Sequence, residues 1–389
     1  MNYRKNEKLK VELSLLGFGA MRLPLATDNP ADIDETEAIK MIRYAIDNGV
    51  NYVDTAWPYH QGESQRVVGL ALKDGYREKV SLATKNPTWL INKEEDWDKY
   101  LNLQLKKLQT DHIDFYLQHS LDAGKWENVK KLNMWEAATK AKKEGKIKHY
   151  GFSFHDDFPL FKEIINEYDW DFCQIQLNYL DQNYQAGLKG LELAKEKGIP
   201  VIIMEPLRGG SLASNLPDFA KEMMEEAKVQ HTPVEWAFKY LTNMDGILTI
   251  LSGMSTMEQV KDNVRIFSSD MTKENNMSEE ETDFISGMVG EWNARRFVPC
   301  TGCQYCMPCP NGVDIPACFK AYNTLKEEGW TSKIEADEEY KKLLERMADA
   351  GKCLECGACE PQCPQHIEII NKLKEVDRVF KEVSVEWKP

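Results

Sequence analysis

Between about residues 11 and 265, short apolar runs alternate eight times with longer amphipathic stretches. This alternation predicts an α/β fold, a TIM (β/α)8 barrel, because each strand followed by a helix adds one strand to a closed parallel sheet. Nine of the ten cysteines fall between Cys300 and Cys363, where the sequence has helical character and no strand pattern. This second observation predicts that a small, mainly α-helical domain follows the barrel.

The eight predicted strands are short, rich in β-branched or aromatic residues, and bounded by polar, glycine or proline positions. They cover residues 13–17, 50–54, 80–85, 113–119, 147–153, 172–178, 201–206 and 247–252. Apolar residues recur every three or four positions between them, for example over 94–108 and 126–144, which predicts helices. A doubly wound open sheet is the alternative fold, but the turn at 17–22 lacks the third glycine of its phosphate-binding motif.

The barrel with a linking helix is predicted to span residues 1–295, and the second domain is predicted to span residues 296–389. The formal net charge of −14 argues against nucleic acid or an anionic membrane surface as a main partner. No long apolar stretch follows the charged N-terminal residues, and no apolar run is long enough to cross a bilayer. We therefore expect a cytoplasmic protein.

The cysteines of the second domain form two motifs. One is Cys353-x2-Cys356-x2-Cys359-x3-Cys363-Pro364. This is the spacing of bacterial ferredoxins, in which three cysteines bind one 4Fe–4S cluster and the cysteine before proline binds the other. Structural zinc sites instead use two pairs of ligands, so this spacing disfavours zinc.

The other motif is Cys300-x2-Cys303-x2-Cys306-x2-Cys309-Pro310, one residue shorter before its Cys-Pro pair. The eight cysteines are therefore predicted to bind two 4Fe–4S clusters. In a crossed pairing, the last cysteine of each motif would bind the cluster of the other motif, and the shortened motif leaves this pairing open.

The spacer between the two motifs is long, and two helices are predicted within about residues 315–350. A long helical spacer resembles the α-helical ferredoxins that serve as electron-transfer modules in larger oxidoreductases, so the second domain is predicted to be ferredoxin-like. Cys173 and Cys318 fit neither motif, and we expect both to be small buried apolar residues.

Polar side chains stand at or just beyond the ends of three consecutive predicted strands, where barrel enzymes form their active sites. They are Asp54, Tyr59, Lys85 and His119. A phenol is a weak acid, but a neighbouring ammonium favours its phenolate and so strengthens it, and a carboxylate keeps that ammonium charged. A neutral histidine can then orient a carbonyl oxygen. This set suits protonation of a carbonyl oxygen while a hydride arrives at the carbon.

In identity and chain order these four residues resemble the catalytic tetrad of the aldo-keto reductase family, and the resemblance extends over about residues 10–265. The resemblance implies that Tyr59 is the general acid, that Lys85 and Asp54 tune it, and that His119 orients the substrate. Each residue alone has a structural alternative, such as a helix cap for Asp54 or a surface charge for Lys85.

The same resemblance implies a nicotinamide cofactor, NADP(H) or NAD(H). It assigns cofactor binding to ten positions near the ends of the later strands: Ser153, Gln176, Pro206, Leu207, Gly209, Gly253, Ser255, Thr256, Gln259 and Asn263. Four positions depart from the common family pattern. Phe154 stands where many members have Asn, and Met204 stands where many have a stacking aromatic. NADP-preferring members often have Lys and Arg where Gly253 and Gln259 stand, so the preferred cofactor stays open.

The two modules together predict an NAD(P)H-dependent oxidoreductase that reduces a small carbonyl compound to an alcohol, or the reverse. The clusters would transfer single electrons to or from a partner such as ferredoxin or another redox protein. Two alternatives stay open: the clusters only stabilise their domain, or the protein is a redox sensor or electron-transfer protein with a vestigial reductase site. Exchange between hydride and cluster needs a mediator such as a flavin, which no motif indicates. Trp57, Trp89 and Trp126 are predicted either to line the substrate pocket or to pack at loop bases.

Overall fold

A computed structural model describes residues 1–214, 216–295, 297–298, 300, 302, 306–326, 330–363 and 366–386. The chain folds as two compact units. The first contains Met1–Leu216 and Val229–Glu281, and the second contains Pro217–Lys228 and Thr282–Pro389. Within the described part of the chain, no helix combines the length and the apolarity needed to cross a membrane.

The first unit is a closed barrel of eight parallel strands, which confirms the predicted fold. The strands of the chain are β1 (Tyr3–Asn6), β2 (Val11–Ser14), β3 (Leu16–Gly19), β4 (Tyr52–Asp54), β5 (Ser81–Asn86), β6 (Ile113–Leu121), β7 (Ile147–Phe154), β8 (Phe172–Gln176), β9 (Val201–Met204) and β10 (Ile247–Gly253). Strands β3 to β10 form the barrel in chain order, and β10 pairs with β3 to close it.

The first predicted strand, 13–17, was wrong because it joined two elements. Residues of β1 and β2 pair antiparallel as a hairpin, and the barrel strand β3 begins only at Leu16. The chain turns between them, where the Ser14 hydroxyl donates to the Leu16 carbonyl oxygen at 2.6 Å. Leu9 and Leu13 of the hairpin segment are buried with Tyr52 and Phe172, which begin β4 and β8. The hairpin therefore closes the amino end of the barrel and leaves the carboxyl end for the site.

The helices of the first unit follow the barrel strands and pack their apolar faces against them. They are α1 (Glu35–Asp47), α2 (Ser64–Ala71), α3 (Glu94–Leu108), α4 (Ala123–Lys131), α5 (Met134–Lys143), α6 (Phe158–Glu167), α7 (Gly187–Glu196), α9 (Pro233–Thr242) and α10 (Met257–Phe267). Helix α3 has the predicted bounds. The single helix predicted over 126–144 was wrong, because Asn133 adopts a left-handed conformation (φ 46°) that ends α4 and starts α5.

The second unit is mainly helical and contains no strand within its described residues, as predicted. Its helices are α8 (Asp218–Glu226), α11 (Glu279–Arg295, from Thr282 onward), α12 (Ile315–Lys326), α13 (Trp330–Glu345) and α14 (Ile369–Glu386). Its core joins residues of the last three helices with residues of the cysteine motifs. The rings of Tyr340 and Phe380 stack at 3.9 Å between centroids, and Phe319, Cys359 and Cys363 belong to the same buried cluster. The cysteine motifs therefore form part of this unit's core.

Candidate active site

The four residues of the predicted tetrad lie together at the carboxyl end of the barrel. Asp54 is the last residue of β4, Lys85 lies one residue before the end of β5, and His119 lies near the end of β6. These three strands are hydrogen-bonded neighbours. Tyr59 begins a short 3-10 turn, Tyr59–Gly62, in the loop that follows β4. The barrel thus brings side chains from three strand ends to one place.

Lys85 is the centre of this group. Its ammonium donates to Asp54 Oδ1 at 2.6 Å, to the Thr55 carbonyl oxygen at 2.9 Å and to the Tyr59 hydroxyl at 3.3 Å. Lys85 is fully buried and Asp54 is 2% exposed. An ammonium has three N–H groups, and here each one has an acceptor. The lysine is therefore held in one position, with one N–H directed at the tyrosine.

Burial and charge act against each other in this pair. Burial lowers the pKa of Lys85, but the charge of Asp54 and the hydroxyl of Tyr59 outweigh that effect and hold the pKa above its usual value. For Asp54, burial raises the pKa of the carboxyl and Lys85 lowers it. The lysine therefore stays charged at neutral pH, because its counter-ion is buried beside it.

Burial also dominates at Tyr59. It raises the pKa of the phenol, whereas the nearby Lys85 ammonium lowers it and offsets only part of the rise. The residue pattern alone indicates only the effect of the ammonium, and the structure adds a larger opposing effect of desolvation. At neutral pH the hydroxyl is therefore protonated, as a proton donor must be.

His119 is neutral in this site. Burial, followed by the charge of Lys85, lowers its pKa well below the usual value. Its ring lies edge-on to the Tyr59 ring, with 6.1 Å between the centroids. The Nδ1 atom is buried and has no hydrogen-bond partner within the described residues. A neutral imidazole next to the phenol can donate one hydrogen bond to an acceptor in the cavity.

A cavity of about 400 Å³ opens above Tyr59 and His119. Its lining residues come from the loops after β3, β4, β5 and β6, and they are Met21, Pro58, Tyr59, His60, Trp89, His119, Ser120 and Lys125. Lys125 forms an ion pair with Asp122. This volume is within the range of small-molecule sites, and two of the four tetrad residues, Tyr59 and His119, line the cavity.

The three tryptophans have different surroundings. Trp89 is 42% exposed, lines the cavity and packs against His119 at 5.3 Å between ring centroids. Trp57 packs edge-on against Tyr100 outside the cavity lining. Trp126 is fully buried in the core between strands and helices. The pocket interpretation therefore holds for Trp89, and the packing interpretation holds for the other two.

Ser153 and Gln176 lie at the ends of β7 and β8, and both are buried. The Ser153 hydroxyl accepts from the Ser120 backbone N–H at 2.7 Å. Gln176 donates to the Asp181 carboxylate at 3.0 Å, while its Oε1 is buried and has no partner among the described residues. Phe154 is buried against Phe161 at 5.2 Å, so it packs outward into the core.

Pro206, Leu207 and Gly209 lie in the loop after β9. Leu207 packs against the barrel core and Pro206 is buried. Gly209 and Gly210 have positive φ values of 69° and 100°, a conformation that favours glycine and leaves their backbone open to a ligand.

The five predicted positions after β10 divide into exposed and buried residues. Gly253 is exposed at the end of the strand. Thr256 caps helix α10 by accepting from the Gln259 backbone N–H, and Gln259 Oε1 accepts from the Ser255 backbone N–H at 2.7 Å. Asn263 is buried and donates to the Ser252 hydroxyl at 2.9 Å. None of these five side chains is cationic.

Arg22 was not predicted from the sequence. It lies in the loop after β3, and its side chain extends between the loops that follow β9 and β10. Its Nη2 lies 3.3 Å from the point where a Cβ would stand at Gly209, and its Cδ lies 3.3 Å from the corresponding point at Gly253. The Ser255 hydroxyl donates to the Arg22 carbonyl oxygen at 2.8 Å and fixes the backbone there. Arg22 belongs to no recognisable sequence motif. Its side chain has room only because Gly209 and Gly253, which are far away in sequence, have no side chains.

The cysteine motifs belong to the second unit. Cys303 lies outside the described residues, as does Pro364. The thiols of Cys353, Cys356, Cys359 and Cys363 are not in disulfides, nor is that of Cys309. Within the described residues, no three Cys, His, Asp or Glu side chains are drawn together at metal-binding distance.

The donor chemistry of these side chains nevertheless fits iron–sulfur clusters, because such clusters are bound by cysteine thiolates. Burial raises the pKa of Cys359, and the charges of Cys353 and Cys309 raise it as well, because these thiols lie near one another. A backbone N–H, that of Gly302, donates to the Cys300 sulfur at 3.4 Å. Cys173 and Cys318, which fit neither motif, are fully buried, as we expected.

Comparison with known proteins decides the family of the barrel. Residues 15–281 match the model of the aldo/keto reductase family, which is more than half of the chain. The chain belongs to the aldo/keto reductase family. It is thus an oxidoreductase. Residues 299–368 match the model of a 4Fe-4S dicluster domain, which confirms the iron–sulfur character of the second module.

This aldo/keto reductase is 29% identical over 301 residues to NADH-specific methylglyoxal reductase of Escherichia coli (strain K12); the match covers 65% of this chain and 90% of that protein. It is 35% identical over 153 residues to probable aldo-keto reductase 1 of Glycine max, which covers 36% of this chain and 42% of that protein. Among solved structures, aldo-keto reductase AKR11C1 from Bacillus halodurans (holo form) superposes with a TM-score of 0.63 at 26% identity, over 74% of this chain and 96% of that one.

Removing the counter-ion of Lys85 should cost stability. We expect Asp54→Asn to lower the free energy of unfolding by about 3–5 kcal/mol, because it leaves a buried ammonium without its carboxylate. The double variant Asp54→Asn/Lys85→Met should recover part of that loss. Urea unfolding followed by tryptophan fluorescence measures both.

The matched control is Asp47→Asn, which removes an ion pair with Lys79 whose side chains are about half exposed. This surface pair should contribute much less. An Asp54→Asn loss no larger than that of the control would show that the lysine does not depend on its carboxylate.

Proposed function

We propose that this aldo/keto reductase reduces a carbonyl group to an alcohol with a reduced nicotinamide cofactor, and that Tyr59 is the proton donor. The observation that best supports this is the contact of one buried ammonium, Lys85, with both the Asp54 carboxylate and the Tyr59 hydroxyl. A protonated phenol and the neutral imidazole of His119 share the floor of one cavity. Such a pair of hydrogen-bond donors suits a carbonyl oxygen.

The proposed roles follow from the charges. When bound, the nicotinamide cofactor supplies a hydride to the carbonyl carbon. Tyr59 gives its hydroxyl proton to the carbonyl oxygen, so that the C=O double bond becomes an alcohol. The Lys85 ammonium stabilises the phenolate left behind, and Asp54 keeps the ammonium in place. His119 donates a hydrogen bond that orients the oxygen, and water returns a proton to Tyr59 after the alcohol leaves.

The residues at the ends of the later strands fit a nicotinamide cofactor. The buried Gln176 Oε1 lacks a donor, and an amide N–H of a carboxamide would supply one. Ser153 has a hydroxyl proton to donate nearby, since its oxygen is already an acceptor for Ser120. The open backbone of Gly209 and Gly210 can face a pyrophosphate.

Arg22 is proposed to supply the cation for that pyrophosphate, since its guanidinium lies beside Gly209. The five predicted cofactor positions at and after the end of β10 carry no cation, and Gly253 and Gln259 stand where NADP-preferring relatives often have Lys and Arg. A 2′-phosphate would therefore gain little, and NADH is proposed as the preferred cofactor. The name of one relative, NADH-specific methylglyoxal reductase, is consistent with this preference.

The catalytic proposal is tested at the phenol. We expect Tyr59→Phe to lower kcat for aldehyde reduction by about 10²–10⁴-fold, because it removes the proton donor and leaves the ring in place. The assay follows oxidation of the reduced nicotinamide by protein with intact clusters. Tyr76→Phe, which removes an exposed hydroxyl bonded to Asp47, is the control and should retain activity. A Tyr59→Phe variant with normal turnover, or a wild-type protein that reduces no carbonyl, would favour the redox-sensor alternative.

The cofactor proposal is tested by two substitutions with opposite selectivity. Arg22→Gln should raise KM for NADH and for NADPH by a similar factor, about tenfold, because both contain the pyrophosphate. Gly253→Lys should lower KM for NADPH relative to KM for NADH, because it adds a cation where the 2′-phosphate is expected, while crowding of Arg22 by the new side chain should raise both KM values. Steady-state kinetics with each cofactor measures both. An Arg22→Gln variant that loses affinity for NADPH only would instead assign Arg22 to the 2′-phosphate.

For the second module we propose two 4Fe–4S clusters bound by the eight cysteines in the crossed pairing. The proximity of Cys309 and Cys353 to Cys359 supports that pairing. We further propose that the clusters exchange single electrons with a redox protein such as ferredoxin. Cys356 is exposed and its neighbour Leu354 is 72% exposed, so one edge of the motif is accessible to a partner.

Anaerobic absorbance spectroscopy distinguishes electron transfer from a purely structural role. We expect reduced ferredoxin to bleach the cluster absorbance, and we expect NADH alone not to bleach it, because no one-electron mediator is indicated. Cys359→Ser should lower the bleached amplitude, whereas Cys318→Ser, which changes a buried thiol outside both motifs, should leave it unchanged. Clusters that resist reduced ferredoxin would be structural, and rapid bleaching by NADH would show that a mediator such as a flavin connects the two modules.

A further inference from the structure

The residue that follows the candidate proton donor has an unusual conformation. His60 has φ 52° and ψ 45°, and Gln61 has φ 54° and ψ 28°, so both are left-handed residues other than glycine. Gly62 continues the run with φ 97°. Left-handed backbone is unfavourable for residues with a Cβ, and it persists where the surrounding structure holds it. Some interaction therefore fixes the turn that begins at Tyr59.

The imidazole of His60 provides that interaction. Its Nε2 accepts a hydrogen bond from the Leu23 backbone N–H at 3.0 Å, and its Nδ1 lies 2.9 Å from the Pro30 carbonyl oxygen. A backbone N–H can only donate, so Nε2 has no proton and Nδ1 carries one and donates it to Pro30. The histidine is thus neutral, in a single tautomer, with both ring nitrogens used.

Both partners of His60 lie in the segment between β3 and α1, which we call the first loop (residues 20–34). This loop is ordered by its own backbone bonds, including Ala26 N–H to Asp32 O at 2.7 Å and Asp34 N–H to Pro24 O at 2.9 Å. Leu23 is 2% exposed. The imidazole therefore joins the turn of Tyr59 to a packed segment, at two points seven residues apart.

Two hydrogen bonds of Tyr59 itself are long. Its backbone N–H donates to the Ala56 carbonyl oxygen at 3.3 Å, and its hydroxyl accepts from Lys85 at 3.3 Å. The two bonds of the adjacent imidazole are shorter and involve backbone groups of a fixed loop. His60 also lines the cavity beside Tyr59 and Met21. The next residue along the chain thus holds the turn that carries the phenol by two short hydrogen bonds.

We propose that His60 is a positioning residue for the proposed reduction: as a neutral Nδ1–H imidazole it holds Tyr59 against the first loop, so that the phenol meets the carbonyl oxygen in the geometry of proton transfer. This inference rests on the proposed function of Tyr59. A proton donor displaced by about 1 Å loses much of its effect in the transition state and little in substrate binding.

The variant His60→Gly tests the imidazole without disturbing the backbone, because glycine readily adopts the left-handed conformation and lacks only the side chain. We expect kcat for aldehyde reduction to fall by about 10–100-fold, with KM changed by less than about threefold. Imidazole added to the buffer should restore part of kcat. His60→Asn, whose amide can still donate to Pro30 but does not reach Leu23, should give an intermediate value. Gln61→Ala changes an exposed side chain at the neighbouring left-handed position and should keep wild-type kcat.

A wild-type kcat in His60→Gly would overturn the inference, as would a loss of kcat that only follows the unfolded fraction in a thermal melt. Two readouts do not depend on activity. Nitrogen NMR of labelled histidine should show the Nδ1–H tautomer, and the Nε2–H tautomer would contradict the tether. Ultraviolet titration, compared with Tyr59→Phe, should show a lower pKa for Tyr59 in His60→Gly, because loosening exposes the phenol to water.

These readouts also separate the two hypotheses. A wild-type protein that reduces no carbonyl, but that has the Nδ1–H tautomer and a Tyr59 pKa that falls in His60→Gly, would contradict the proposed function and retain the tether. An active wild type with an equally active His60→Gly variant would contradict only the tether.

Discussion

The ammonium group of Lys85 is buried at the carboxyl end of a closed barrel. The geometry of the site depends on the groups that stabilise this buried charge. Desolvation of a cation costs several kcal/mol, which is recovered only when acceptors surround it closely. Here Asp54, the Thr55 carbonyl oxygen and the Tyr59 hydroxyl accept hydrogen bonds from its three N–H groups. The barrel strands that position these acceptors must therefore keep a fixed register. The longest of the three hydrogen bonds is the one to the Tyr59 hydroxyl.

The sequence was sufficient for the barrel, for the bounds of α3 and for the four tetrad residues, because those features have local signals: period, caps and polar residues at strand ends. The sequence was not sufficient to predict where the chain changes direction without a glycine or proline to mark the turn. The β1–β2 hairpin joins the first barrel strand with only Leu15 between them, and Asn133 ends a helix inside a continuous apolar pattern. Arg22 and His60 were missed for another reason. Their partners are far away in sequence, at Gly209 and Gly253 and in the first loop.

The two modules differ in the electron count of their chemistry. A hydride moves two electrons in one step, whereas a 4Fe–4S cluster accepts one. Under the proposed function, a tetrad with a single proton donor serves the first kind of step and not the second. The exposed Cys356 and Leu354 give the second unit an accessible edge of its own. The simplest arrangement is therefore one in which each module has its own electron partner, and a shared mediator would need a binding site that no motif indicates.

The first loop connects the two parts of the barrel chemistry. Arg22 lies near the start of this loop, and its side chain passes Gly253 and ends beside Gly209. Leu23 and Pro30 of the same loop form the two hydrogen bonds with the His60 imidazole. A lysine side chain at position 253 would compete for the space that Arg22 now occupies, so glycine at position 253 and arginine at position 22 belong to one arrangement. Because His60 joins the same loop to the turn of Tyr59, a change in the position of the loop would alter the proposed cofactor cation and the proposed proton donor together. The glycine at position 253, which departs from the common cofactor pattern, is thus linked through Arg22 and the first loop to the hydrogen bonds of His60 that hold the turn of Tyr59.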